Sequence, residues 1–266
     1  MSWGIPVPND ENHVMYVWFD ALTNYINTLG WPEDIANYEK FWVNGDTYQY
    51  AGKDNTRQQS AMWQAMLMAA GLSPSKHIRI NGFINGANGV KMSKSMGNVI
   101  APSEPIEKYG VDAFRYFVLR HIPSFEDGDL TMDIFHEVYT AHLVNGLGNL
   151  ASRILTLSEK YCETVSFEEV TLDEEFITCM EGGNFDKAFD SVWKKIGELD
   201  EFISRTEPFK VIKIDIEAGK MLIDQSRVKL YEINAYLESA MPETFLKLKQ
   251  YIQENKKPET PHFPSF

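Results

Sequence analysis

The sequence predicts an α/β layer structure with a parallel sheet followed by an all-α helix bundle, and three observations carry that prediction. Short β-forming runs at 14–20, 47–51 and 78–81 alternate with helical stretches. Residues 122–130 are punctuated by proline, glycine and acids. From Thr131 onward the strand signals vanish, and apolar residues recur at spacings of three and four. The expected division is 1–121 for the α/β part, 122–134 for a connecting segment and 135–266 for the helices.

Taken in order, residues 14–20 are apolar enough for a buried parallel strand, with Asp20 capping a helix through Tyr25. Residues 47–51 form a second strand by β-propensity and aromatic content. Gly52-Lys53-Asp54 then turns into a helix with Ala61, Met62, Ala65, Met66 and Ala69 on one face. Such a glycine turn at a strand's C-terminal end is where open α/β sheets bind ligands. Residues 78–81 make a third strand. Ser103 to Glu107 starts a helix with a hydroxyl cap, an early proline and first-turn acids. Residues 111–120 continue as a helix that turns Phe114, Phe117 and Val118 inward. The bundle follows, with Phe135, Val138, Tyr139, His142, Leu143, Leu147 and Leu150 on one stripe and a capping box from Thr171 to Glu174. Periodic stretches at 184–205, 219–240 and 242–253 bring the total to about five antiparallel helices.

Composition narrows the function classes. With 266 residues, 44% of them hydrophobic, the chain can bury a real core. No apolar run reaches the length of a membrane span, and the first residues carry neither a basic nor an apolar signal region, so membrane contact and a secretory signal are not expected. Cys162 and Cys179 are the only cysteines, which argues against a zinc site or disulfide framework and for a reducing, cytoplasmic setting. A net charge of −13 opposes a polyanion held by bulk attraction. Yet Lys53, Arg57, Lys76, Arg79, Lys91 and Lys94 face the single acid Asp54 within 51–100. Any nucleic-acid contact must therefore use local patches and stacking.

The chemistry concentrates between Gly82 and Asn98, where Gly82, Gly86, Gly89 and Gly97 bracket Lys91 and Lys94 and the hydroxyls Ser93 and Ser95. Glycines permit tight turns and close backbone approach, and lysines offer mobile charge for phosphate. By composition alone, a solvated hairpin with surface lysines is an equal reading.

Lys91-Met92-Ser93-Lys94-Ser95 is identical to the signature loop of class I aminoacyl-tRNA synthetases, and the chain around it resembles the methionyl-tRNA synthetases. The matching stretches, in the family's order, are 17–25, Gly52-Lys53-Asp54, 91–100, 109–116, Asp127-Gly128-Asp129 and Asn149-Leu150-Ala151-Ser152-Arg153. The resemblance implies that the sheet is part of a Rossmann-like catalytic domain, that 122–134 contacts the tRNA stem, and that the helices bind the anticodon. It implies ATP and methionine as substrates, with Mg2+ entering on the nucleotide, and tRNA(Met) as acceptor; no zinc is expected. Lys91 and Lys94 would act on the phosphates, with Ser93 and Ser95 holding the loop. Gly52 and Asp54 would meet the ribose and the amino acid. Trp18, Ala21, Tyr25, Asn55, Gln59 and Trp63 would line the methionine pocket, although Trp18 and Tyr25 read from the residues alone as plain core. Asn149 and Arg153, spaced to share a helix face, would contact the anticodon beside Phe209.

The chain also departs from the family. Asn55 replaces an aliphatic residue, Gln58-Gln59 a Phe-His pair and Gln64 a proline. Of these, Asn55 and Gln59 fall near the pocket, where Gln59 can replace a histidine hydrogen bond and Asn55 adds more polarity than a thioether needs. Phe209 replaces a stacking tryptophan, and Asp200 stands where the family has asparagine. The His-x-Gly-His tetrad that carries the other half of a class I nucleotide site does not occur. These 266 residues are therefore expected to be inactive in adenylation by themselves and to need an N-terminal catalytic half, from the same gene or a separate chain. A non-catalytic RNA-binding or docking module, or an enzyme with altered amino-acid specificity, remains the alternative.

Overall fold

The computed structural model describes residues 3–93 and 97–265. Packing divides the chain into two units, Met1–Phe83 and Ile84–Phe266. The fold is mixed α/β with short parallel ladders and a helical bundle.

In the first unit, β1 (Pro6–Val7) and β2 (Asp10–Val14) form an antiparallel hairpin. Short helices follow: α1 (Val17–Ala21), α2 (Asn24–Asn27) and α3 (Ile35–Tyr38). The expected strand at 14–20 is thus a strand end followed by a helix. Its apolar residues do not line a sheet: Tyr16, Val17 and Phe19 are exposed. An apolar run too short to show a period cannot separate a buried strand from a helical segment. Asp20 lies inside α1, and Tyr16 occupies the N-cap, so the expected cap is not formed.

β3 (Tyr48–Gly52) and β4 (His77–Asn81) pair in parallel, from Tyr48 opposite His77 to Gly52 opposite Asn81. They lie within one residue of their sequence-expected limits. The crossover between them runs through a tight turn at Lys53–Asn55 into α4 (Trp63–Ala69). Its apolar side joins Leu22, Ile26, Tyr38 and Trp42 in a core centred on Trp63 and Leu67.

The second unit opens on β5 (Ile84–Asn85), paired in parallel with β6 (Gly128–Asp129). Between them lie α5 (Ser103–Tyr109) and α6 (Val111–Tyr116). Pro102, not the expected Ser103 hydroxyl, precedes the first turn of α5. α7 (Met132–Val138) continues through wider π-type turns at Tyr139–Gly148 into α8 (Asn149–Tyr161). Then come α9 (Glu174–Gly182), α10 (Phe185–Thr206), the short α11 (Pro208–Val211), α12 (Ile216–Ala235) and α13 (Pro242–Glu254). Asp173, rather than Thr171, caps α9 by accepting from the Phe176 amide. The core joins Tyr139, Leu143, Leu147 and Ile154 to Phe189, Val192, Leu199, Leu230 and Ile252.

Residues 84–121 pack with the helices, although their strand-and-helix pattern groups them with the α/β part in the sequence. Two features of residues 109–117 explain this. Tyr109, Ala113, Tyr116 and Phe117 are buried in the helical core. In addition, Asp112 and Arg115 clamp the turn before α13. The Asp112 carboxylate accepts from the Thr244 amide (2.6 Å), supplying an N-terminal cap from a distant helix. Arg115 donates to the carbonyls of Ala240 (2.8 Å) and Ser239 (2.7 Å).

Two histidines are held neutral inside this unit. His142 meets the Tyr116 hydroxyl (2.7 Å) and the Arg120 guanidinium (2.8 Å), and Arg120 also pairs with Asp190. Burial first, then Arg120 and His121, pull the His142 pKa down to about 4 against a small opposing effect of Asp190. His262 contacts the Thr244 hydroxyl, and burial first, then Lys247, take it to about 4 against Asp112. Both folded values lie below the unfolded value of 6.5, so the unfolded chain binds more protons. Their contribution is complete above that value and is lost as pH falls toward 4. The melting temperature of the helical unit, followed by circular dichroism, is expected to drop by about 5 °C or more across this window. His142→Gln should flatten the pH dependence, and an unchanged melting temperature from pH 6.5 to 4 would refute the assignment.

Candidate functional site

The candidate site residues lie in both units, and each group has its own geometry. In the first unit, β3 ends at Gly52, and the chain turns there into the helical crossover. A Cβ at Gly52 would come 2.9 Å from Asp54 Oδ1, so glycine leaves room for that carboxylate over the turn. Asp54 is exposed and Asn55 half-buried on the same turn.

Trp18, Tyr25, Gln59 and Trp63 belong to one cluster. Trp18 and Tyr25 are half-buried and pack on the core that holds Trp63. The Tyr25 and Trp63 rings stand 6.1 Å apart at 46°, and Trp42 meets Trp63 edge-on at 6.2 Å. Gln59 is 4% exposed and donates from Nε2 to the Tyr25 hydroxyl at 3.0 Å. Gln59 Oε1 and Trp63 Nε1 are buried without a hydrogen-bond partner among the described residues. An unpaired buried polar atom is costly, so this amide oxygen and this indole N–H would each gain from a polar partner. Ala21 is exposed. Trp63 also lines an apolar groove of about 620 Å3 with Phe19, Ile26, Met62 and Met66, which Tyr25 and Gln59 do not border.

In the second unit, the lysine loop rises from a braced base. Asn85 bridges to Lys91, and the Gly86 amide donates to the Val90 carbonyl at 2.8 Å. Asn98 ties the two arms together: its Oδ1 accepts from the Ser93 amide (2.9 Å) and its Nδ2 donates to the Lys91 carbonyl (3.3 Å). Gly89 (φ +71°) donates from its amide to the Asp129 carboxylate at 3.1 Å. Met92 and Ile100 pack against the helical core and anchor each arm. Lys91 is exposed and Ser93 half-buried; Lys94 and Ser95 lie outside the described residues. Asn98 and Asp129 were not singled out from the sequence as site residues. The signal available was an asparagine directly after Gly97, since Asx side chains bond nearby backbone in turns.

On the bundle, Asn149 is exposed and Arg153 half-buried on α8. Arg153 Nη1 donates to Asp200 Oδ1 at 2.8 Å, with the side chains 40% and 51% exposed. Asp200, which stands where the family has asparagine, is therefore paired with the expected contact arginine. Arg153, Ser152, Pro208 and Phe209 line an apolar cleft of about 330 Å3, and Phe209 keeps 38% of its surface exposed. The structure thus brings Arg153 and Phe209 to one cleft, while Asn149 borders a neighbouring groove. Among the described residues, no three His, Cys, Asp or Glu side chains converge as a metal cage, and no helix is long and apolar enough to cross a membrane.

Residues 1–155 match the family model of the class I tRNA synthetases (M). Similar curated proteins include the methionine–tRNA ligase of Fusobacterium nucleatum, 34% identical over 96% of this chain and 42% of its own length. That of Brucella suis is 36% identical over 93% of this chain and 50% of its own. Among solved structures, Mycobacterium tuberculosis methionyl-tRNA synthetase bound by methionyl-adenylate superposes with a TM-score of 0.81 at 27% identity, covering 99% of this chain and 59% of that one. The chain spans two fifths to half the length of these curated relatives.

Proposed function

The chain belongs to the class I tRNA synthetases of the methionine group, and from that premise we propose that it supplies part of the ATP-dependent joining of methionine to tRNA(Met). In this reading the carboxylate of methionine attacks the α-phosphorus of ATP, forming methionyl-adenylate and releasing pyrophosphate. The methionyl group then passes to the 3′-terminal ribose of the tRNA, and AMP leaves. No protein nucleophile is needed, so the residues act by positioning and charge. Lys94 and Lys91 stabilise charge on the β- and γ-phosphates, where the Mg2+ of the nucleotide also sits. Ser93 and Ser95 steady the loop, Gly52 and Asp54 meet the ribose and the amino acid, and Trp18, Ala21, Tyr25, Asn55, Gln59 and Trp63 hold the methionine side chain. Asn149, Arg153 and Phe209 contact the anticodon. Functionally, 1–121 is the catalytic half, 122–134 a stem-contact segment and 135–266 the anticodon reader, acting in the cytoplasm.

The observation that carries this reading is the Asn98 brace, which ties Lys91 and Ser93 to the far arm of the segment that carries the lysine motif. A surface hairpin has no need of such rigidity at its base. The second reading, an RNA-binding module without catalysis, draws on the cleft at Arg153 and Phe209, whose walls all lie in the helical unit.

The test is methionine-dependent pyrophosphate exchange, measured on residues 1–266 alone and with a polypeptide carrying the His-x-Gly-His half. The chain alone is expected to be silent and the mixture active. Exchange by the chain alone would overturn the half-site reading. A silent mixture that still binds the tRNA would favour the second reading, and an active mixture that prefers another amino acid would assign the pocket to that substrate.

A further inference from the structure

We infer that Asp129 is a positioning residue for adenylation: from the connecting segment, its carboxylate fixes the turn that aims Lys91. This rests on the reading of the lysine loop as the phosphate-handling element and adds a residue that reading does not use.

The arm that delivers Lys91 is a narrow hairpin. It leaves β5 at Asn85, turns through residues 86–90 and returns at Lys91, which meets Asn85 through an antiparallel bridge. Asn88 (φ 58°) and Gly89 (φ 71°) both take left-handed backbone, and the Val90 amide donates to the Ala87 carbonyl at 3.3 Å. Asn-Gly is the preferred pair for a hairpin turn with two positive φ values. Ala87, Asn88, Gly89 and Val90 are all exposed, so apolar packing does not fix where this turn lies.

Asp129 does so from outside the hairpin. It stands opposite Asn85 in the parallel pairing of β5 with β6, and the Leu130 amide donates to the Asn85 carbonyl at 2.8 Å. From that place Asp129 Oδ2 accepts from the Gly89 amide at 3.1 Å, a bond strengthened by the charge of the acceptor. Asn85 thus lies between Asp129 and Lys91.

The platform under Asp129 is firm. Ile122 and Leu130, on either side of it in the chain, are buried in the helical core. Between them the Ser124 hydroxyl donates to the Asp186 carboxylate at 2.7 Å, in the first turn of α10. Gly128 lets the segment close on itself, since a Cβ there would stand 2.8 Å from the Pro123 ring. Support therefore runs from the core through 122–130 to the turn before Lys91. The Asn98 brace is a separate device, because it spaces the two arms and does not set where the near arm lies. Placement matters here: a catalytic group misplaced by about 1 Å can lose about 10²-fold in rate.

The experiment compares Asp129→Ala and Asp129→Asn with the parent in two assays. One is pyrophosphate exchange with the complementing half; the other is limited trypsin digestion of the full chain alone. In exchange, Asp129→Ala is expected to lower kcat about 10-fold and to leave KM for methionine within about twofold, because misaligned charge is felt in the transition state. Asp129→Asn keeps an oxygen for the Gly89 amide and should return kcat to within about threefold of the parent. In digestion, Asp129→Ala should speed cleavage after the exposed Lys91 about fivefold. Cleavage after Lys213, exposed on the turn between α11 and α12, should not change. Rates that rise together at Lys91 and Lys213 would overturn the inference, since they mark general loosening. Unchanged cleavage after Lys91, or an asparagine variant no better than alanine, would do the same. If Asp129→Ala costs less than about threefold while Lys94→Ala costs about 10²-fold, Asp129 is excluded and the loop reading stands. If Lys94→Ala is equally silent, the loop reading itself falls and the role of Asp129 with it.

Discussion

Replacing Lys94 with alanine is expected to lower methionine-dependent pyrophosphate exchange by about 10²-fold or more in the enzyme complemented with its other catalytic half. Removing one preorganised donor aimed at developing charge costs that much, because water cannot restore its alignment at the moment of reaction. If Lys94 engages the phosphates mainly in the transition state, kcat and kcat/KM fall together while KM for ATP moves little. Lys94→Arg keeps the charge but replaces a compact ammonium with a planar fork, so it should recover only part of the rate. The brace offers an independent check. Asn98→Ala removes the bonds to the Ser93 amide and the Lys91 carbonyl, and leaves Met92 and Ile100 packed on the helical core. It should therefore lower kcat by about 10-fold without lowering the melting temperature. A change of less than about threefold for Lys94→Ala would remove the loop from the mechanism.

The parts of the fold that were legible in the sequence are those where local pattern and tertiary packing agree. β3 and β4 combine β-formers with a glycine exit, and α10 carries a long stripe of apolar residues at helical spacing. Both match expectation within a residue or two. The run at 14–20 misled because apolar content without a period does not reveal whether a neighbouring strand will pair with it. The grouping of 84–121 with the helices was hidden for a different reason. It depends on Asp112 reaching Thr244 and Arg115 reaching Ser239 and Ala240 across more than a hundred residues, and such pairings leave no trace in local spacing. The same holds at the candidate site. Motif order brought out Lys91, Gln59 and Arg153, whereas the Asn98 brace and the pairing of Asp200 with Arg153 emerged only from geometry.

Arg153→Ala is expected to weaken binding of the methionine anticodon hairpin by about 10-fold or more. A hydrogen bond from a charged donor contributes about 1.5–3 kcal/mol, and each 1.4 kcal/mol is tenfold in affinity. Protein stability should hardly change, because the partner Asp200 is half exposed and such surface pairs contribute about 0–1 kcal/mol. Asp200→Asn should act in the opposite direction and tighten the hairpin about threefold or more, since it releases the guanidinium and removes a negative charge beside the RNA. Those two causes separate in the double variant. If Asp200 acts by occupying Arg153, the gain disappears in the Arg153→Ala background. If it acts by repelling phosphate at a distance, the gain survives and fades as salt rises. The 2.8 Å bond between the two side chains favours the first outcome. An Arg153→Ala chain that binds the hairpin as tightly as the parent would exclude the cleft as an RNA site, whatever Asp200 does.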